Sequence, residues 1–242
     1  MTPLLMLVSL SVQATECPDM YLAKREPMLI APLAGNFFEL CNSEYAVLVS
    51  EINKTALYSA EKLTPAQVKG AKRIKRGHNE FFEDYRLPDM IRVSSYSYSH
   101  TGYDRGHLAP AGDFSSQGTQ KESFSLANVV PQSRVVNRGV WADIEGTVRH
   151  LADRGTVHVI TGPLYMGPTR YLKTSGVPIP SDMFKAVYAP SSNVVGVYVV
   201  GNGDDERITK LSLSEFSNMT GIDVFPNLPA EVKKIRGAVP SP

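Results

Sequence analysis

Tyr103-Asp104-Arg105-Gly106-His107-Leu108-Ala109-Pro110 packs a carboxylate, a guanidinium and an imidazole around one glycine and then stops at a proline. Glycine admits a close backbone neighbour and proline interrupts a hydrogen-bonded ladder, so the segment reads as a strand end presenting three polar groups. A lone histidine in such a chain is more often structural than catalytic. Asp104 and Arg105 beside His107 shift that balance.

Downstream, Asn128 sits inside Leu126-Ala127-Asn128-Val129-Val130-Pro131-Gln132, an apolar, strand-like run. An amide is uncommon there unless it is hydrogen-bonded to something specific. Asn137 stands just ahead of a stretch in which Val140, Trp141, Ile144, Val148 and Leu151 recur at helical spacing, which predicts an amphipathic helix between Gly139 and Arg154. An N-cap role alone would account for Asn137. Glu145 follows eight residues later. On a continuous helix that spacing is ~12 Å of rise with ~80° of rotation, so the two side chains look toward one side without sharing one ion directly.

Further out, Thr156–Thr161, Met183–Tyr188 and Val194–Val200 are rich in β-branched residues, as is Tyr45–Val49. All four read as strands. Thr64-Pro65 opens a short helix with Thr64 as N-cap and Pro65 at the first helical position. Leu87 to His100 is rich in Ser, Tyr and Pro and reads as a surface connection; the Pro-containing end after Lys234 reads as a loose tail. The expected class is α+β, with a mostly antiparallel central sheet flanked by helices.

Charge excludes little: 25 cations face 24 anions, so nucleic-acid binding must rest on local clusters. Lys69, Lys72, Arg73, Lys75 and Arg76 form one, and a solvated helix face explains it equally well. Leu4 to Val12 is apolar and runs into Val12-Gln13-Ala14, small residues at the positions a signal peptidase reads. This predicts an export signal over residues 1–14, a single domain over 15–242 and a secreted or periplasmic protein without a membrane partner, although no cation precedes the apolar run. Cys17 and Cys41 are the only cysteines. An even pair in an exported chain suggests a disulfide worth ~3 kcal/mol, the alternative being two unpaired buried thiols. No second ligand pair accompanies them, which argues against zinc.

The run Asp104-Arg105-Gly106-His107-Leu108-Ala109-Pro110, then Asn128, then Asn137-x-x-x-Trp141-x-x-x-Glu145, resembles the DNA/RNA non-specific endonuclease family, the endonuclease G-like proteins with a ββα-metal (His-Me) finger. Val159–Tyr165, Ile179–Lys185 and Glu215–Pro226 resemble later segments of that family in order, so the likeness extends from residue 45 to residue 228. It implies that His107 is a general base, Asn137 the one direct protein ligand of a divalent cation, and Glu145 a group acting through metal-bound water. It implies further that Asn128 supports the site by hydrogen bonding, that Asp104 orders it, and that Arg105 lies near the phosphate.

A hydrated, oxygen-ligated ion is what Mg²⁺ prefers, with Mn²⁺ as a substitute. Neutral imidazole, with an ordinary pKa near ~6.5, can take a proton from water at neutral pH. The family outcome is cleavage of DNA and RNA, leaving 5′-phosphates. The family also clamps phosphate with an upstream arginine, for which Arg76 is favoured over Arg73 although extra residues disturb the spacing. A protein inhibitor is a further partner to consider. Two rivals stand beside this reading: a catalytically inactive nucleic-acid-binding module on the same fold, and a serine hydrolase, for which no Gly-x-Ser-x-Gly elbow is present.

Overall fold

The computed structural model describes residues 15–30, 34–75, 80–204 and 207–242. The expected export segment and Arg76 lie outside the described residues. The first half contributes β1 (Phe37–Cys41), β2 (Tyr45–Ser50), β3 (Ala56–Leu63), α1 (Pro65–Ala71), β4 (Asp104–His107), α2 (Gln117–Glu122) and β5 (Val129–Gln132). The second contributes α3 (Arg134–Arg138), α4 (Val140–Ala152), β6 (Val157–Leu164), β7 (Asp182–Ala189), β8 (Val194–Gly201), β9 (Ile208–Leu211), α5 (Leu213–Thr220) and α6 (Ala230–Lys233).

Seven strands form one antiparallel sheet in the order β9-β8-β7-β6-β3-β2-β1. The class is therefore the expected α+β. Both faces of the sheet are covered, which is why β8 is buried along its whole length and reads as a continuous run of valines rather than an alternation. Along β7, Met183 and Val187 join the core under α4, whereas Phe184 and Ala186 join the core under α5. The two-residue period of a strand thus divides one segment between two cores. Gly162 marks the closest approach of β3 to β6: a Cβ there would lie 2.4 Å from the Leu57 carbonyl oxygen.

The predicted amphipathic helix is α4. Trp141, Ile144, Val148 and Leu151 are buried against the sheet, each worth roughly 2–3 kcal/mol by area. Thr64 caps α1 through a reciprocal capping box with Gln67, with Pro65 at the first position. Cys17 and Cys41 are joined in a disulfide that fastens the N-terminal segment to the end of β1.

Three expectations are corrected. The C-terminal segment is not a loose tail: Val239 is buried in the core and the Tyr198 hydroxyl donates to the Pro240 carbonyl at 2.8 Å. Residues 87–100 are only in part a surface connection, since Leu87, Ile91, Val93 and Tyr98 are buried; their apolar groups are spaced too irregularly for any periodicity to reveal them. Asn128 lies in a 3-10 turn, Leu126–Asn128, immediately before β5 rather than within a strand.

Candidate active site

β4 and β5 form a separate two-stranded antiparallel sheet, pairing Asp104 with Gln132, Gly106 with Val130 and His107 with Val129. The glycine is obligatory: a Cβ on Gly106 would sit 2.1 Å from Gln132 Oε1 and 2.5 Å from its Cβ. α3 starts directly after β5, and the chain then bends at Gly139 (φ −105°, ψ −116°) into α4. Asn137 is therefore not an N-cap; Gly139 holds that position, and Asn137 lies inside α3. Because the helix is broken between Asn137 and Glu145, the spacing expected for a continuous helix does not apply.

The two strands and the bent helix bring Asp104, Arg105, His107, Asn137 and Glu145 to the lining of one open groove of ≈ 780 Å³. The His107 ring packs against Phe81 (centroids 5.2 Å apart) and edge-on against Phe124 (4.9 Å). The Arg105 guanidinium also lies over the Phe81 ring, 4.6 Å from its centroid. Phe81 thus seats both the imidazole and the exposed guanidinium.

Asp104 is the hub of the opposite wall. It accepts from Asn137 Nδ2 at 3.0 Å and from Arg138 Nε and Nη2 at 2.8 and 3.0 Å, and Arg134 Nε stands 3.5 Å away. Burial pushes its carboxyl up, but the hydrogen bonds from Arg138 and Asn137 outweigh that and hold it below the ordinary carboxylate range. With the Asn137 amide nitrogen engaged, its oxygen is the atom left for the groove.

Asn128 is fully buried and does not line the groove. Its Oδ1 accepts from Ser59 Oγ (2.8 Å) and Ala109 N (3.0 Å), and its Nδ2 donates to the carbonyls of Ala109 (2.8 Å) and Ser123 (2.9 Å). Every polar position of this amide is used, so it pins the segment that follows His107 to β3. Lys185 on β7 supports the same segment: buried, it donates to Thr161 Oγ1 at 2.7 Å and to the Leu108 carbonyl at 3.4 Å.

Behind the groove, charge is buried. Arg149 Nη1 bonds Asp113 Oδ1 at 2.9 Å and stands 4.0 Å from Glu145 Oε2. Burial drives the Glu61 carboxyl well above its ordinary range, and the Asp113 charge adds to this against the pull of Lys185. Burial also raises Asp113, opposed by Arg149. Of the two, only Asp113 has a guanidinium within hydrogen-bonding distance, whereas neither Glu61 carboxyl oxygen has a hydrogen-bond partner among the described residues.

Phe81, Arg134, Arg138 and Arg149 join the groove beyond the residues singled out in the sequence. Arg149 was legible as the i+4 partner of Glu145; Phe81 had no sequence signal. Among the described residues of the basic run only Lys69 lies on α1; Lys72 caps its end and pairs with Asp153 at 2.7 Å, and Arg73 and Lys75 follow beyond the helix rather than on its face.

The donors facing the groove are an amide oxygen and a carboxylate, hard oxygen ligands too few to strip an ion of its water. That suits Mg²⁺ better than zinc. Among the described residues, the one tight group of three His, Cys, Asp or Glu ligand atoms is Cys17, Glu39 and Cys41, whose sulfurs are already joined to each other.

The fold is that of EndoG: the chain superposes on it in the crystal structure of the EndoG/EndoGI complex with a TM-score of 0.66 at 24% identity, over 79% of this chain and 86% of that one. At that identity the likeness establishes the fold alone. Residues 31–231 match the family described as DNA/RNA non-specific endonuclease, and the chain belongs to that family. Nuclease C1 of Cunninghamella echinulata var. echinulata is 30% identical over 216 residues, spanning 81% of this chain and 84% of that protein. Mitochondrial endonuclease G of Caenorhabditis elegans is 30% identical over 207 residues (76% and 67%). Human mitochondrial nuclease EXOG is 29% identical over 221 residues, and this chain spans 59% of its length.

Proposed function

We propose that this protein is an Mg²⁺-dependent endonuclease that hydrolyses DNA and RNA with little regard for sequence. The observation that carries the reading is the meeting of His107, Asn137 and Glu145 in one groove that Arg105, Arg134, Arg138 and Arg149 also line. Phe81 and Phe124 fix the plane of the imidazole, so that its ring can take a proton from water and direct the resulting hydroxide onto phosphorus. Arg105, seated on Phe81, balances the charge of the phosphate being attacked. Asp104 orients Asn137, and Arg149 orients Glu145.

Asn137 would hold the cation directly and Glu145 through water; a bound Mg²⁺ stabilises the negative charge that develops as the 3′-oxygen departs. The products are then 5′-phosphates and 3′-hydroxyls. Gripping phosphate rather than base edges explains tolerance of many sequences. The upstream phosphate clamp remains assigned to Arg76 on sequence grounds alone.

We also infer a secreted or periplasmic location and a single domain over 15–242. The Cys17–Cys41 disulfide supports an oxidising compartment. Several relatives carry mitochondrial names, which makes targeting a matter for direct test.

Supercoiled DNA and structured RNA, each incubated with Mg²⁺ or EDTA beside His107→Ala, test the reading. Cleavage confined to wild type with Mg²⁺ is the expected result. Cleavage in EDTA would remove the metal from the scheme, and binding without cleavage would favour the inactive-module alternative.

A further inference from the structure

The groove around His107 does not end at Asn137. Tyr103 and Arg134 line both it and an adjoining pocket of ≈ 320 Å³, and Arg170, Asn202 and Gly203 line both that pocket and a third of ≈ 220 Å³, where Arg207 also stands. We take these three neighbouring depressions, which share lining residues and run from the imidazole past the start of α3 to the loop between β8 and β9, as one trough.

Its charge differs from that of the chain as a whole. Arg105, Arg134, Arg138, Arg149, Arg170 and Arg207 line it, against Asp104, Glu145 and Asp204, while the whole chain is almost balanced. Every lysine or arginine along the described trough is an arginine, although the chain holds nearly as many lysines. A planar fork that donates two parallel hydrogen bonds suits phosphate oxygens, and it recurs here at intervals. Arg134 is 61% and Arg207 68% exposed; Arg207 lies 3.8 Å from the half-buried Asp182, beyond hydrogen-bonding range, so the contact does not commit its donors. The trough floor is pinned where it turns: Asn202 accepts from Ser133 N at 2.8 Å and donates to the carbonyls of Pro131 and Pro180 at 3.0 and 2.9 Å.

We propose that this trough is an extended subsite for the phosphodiester backbone of one nucleic-acid strand, with Arg170 and Arg207 gripping phosphates several nucleotides from the one cleaved. The inference rests on the nuclease reading and adds the direction in which the strand runs. It predicts that the enzyme favours long polynucleotides over dinucleotides, and that the preference resides in two arginines outside the chemical site.

The test uses a 5′-labelled single-stranded oligonucleotide of about 20 nucleotides and a dinucleotide, with wild type, Arg170→Ala/Arg207→Ala, Arg170→Lys/Arg207→Lys, and Lys24→Ala as an exposed cation elsewhere. Two lost phosphate contacts are expected to lower the salt slope of log KM by about 1.4, and kcat/KM on the long strand by roughly tenfold more than on the dinucleotide. The lysine variant should recover the salt slope but only part of the affinity. His107→Ala with and without the two alanine substitutions, titrated with the oligonucleotide by anisotropy, reads the same slope without turnover, and circular dichroism confirms folding of each variant. An unchanged slope, or equal losses on both substrates, overturns the trough. A wild type that cuts neither substrate overturns the nuclease reading instead.

Discussion

The Asn137 amide nitrogen donates to Asp104 Oδ2 at 3.0 Å, joining the short helix α3 to strand β4. One carboxylate therefore fixes which end of the amide faces the groove. Asp104→Asn keeps the shape but removes the charge that also draws in Arg138 and Arg134. In the proposed scheme the Mg²⁺ concentration for half-maximal activity should rise by roughly 10- to 100-fold, as for other groups that orient a metal ligand. Activity titrated against Mg²⁺ checks this, and an unchanged midpoint with a lowered plateau would assign Asp104 to substrate instead.

Phe81 packs against both His107 and Arg105, at 5.2 and 4.6 Å. Phe81→Ala frees both groups at once, whereas Phe81→Tyr keeps the ring. The alanine variant should lose kcat by about 10²-fold, the scale on which misplaced catalytic groups fail, with KM changing less. The tyrosine variant should stay within a few-fold of wild type. Equal losses in both would show that the ring is not what orients the imidazole.

Much of this was readable from residues. The β-branched runs at 156–161, 183–188 and 194–200 declared strands that extend over 157–164, 182–189 and 194–201, and the spacing of Trp141, Ile144, Val148 and Leu151 declared α4. Asp104, Arg105, His107, Asn137 and Glu145 reach one groove because β4 pairs with β5 and the bent helix follows β5 directly. What escaped depends on distant contacts. Lys185 read as a polar member of a strand and Glu61 carried no signal, and only their placement on the sheet face under α4 buries both. The bend at Gly139 looked like a helix start rather than a joint between two helices. Val239 returns to the core through contacts no local pattern encodes.

Two buried acids behind the groove are predicted to differ in protonation. If Asp113 holds the charge and Glu61 the proton, Glu61→Gln is nearly isosteric and should change stability at pH 7 by less than about 1 kcal/mol. Asp113→Asn strands the Arg149 guanidinium and should cost about 3 kcal/mol, while also loosening the Arg149–Glu145 contact and lowering kcat. Urea unfolding of both variants decides it. A larger loss in Glu61→Gln would reverse the assignment.

His158 gives the protein an acid-sensitive strand. It lies on β6 opposite Lys62 on one side and Tyr188 on the other, with Nδ1 buried and unpartnered among the described residues. Burial, reinforced by the Lys62 charge, pushes its pKa down to about 4. In the unfolded chain it returns to an ordinary value near ~6.5. A depressed folded pKa means that the unfolded state binds the proton first, so the stability is fully present above about pH 6.5 and is lost as pH falls toward 4. Because the ring keeps some solvent contact, the expected loss is about 2 kcal/mol. Glu61, raised rather than lowered, contributes the opposite slope, and it is present in both wild type and His158→Gln. Urea midpoints for the two proteins between pH 4 and pH 7.5 therefore isolate the histidine: the variant's curve should be flatter across that window, and parallel curves would show that His158 is free to titrate in the folded protein.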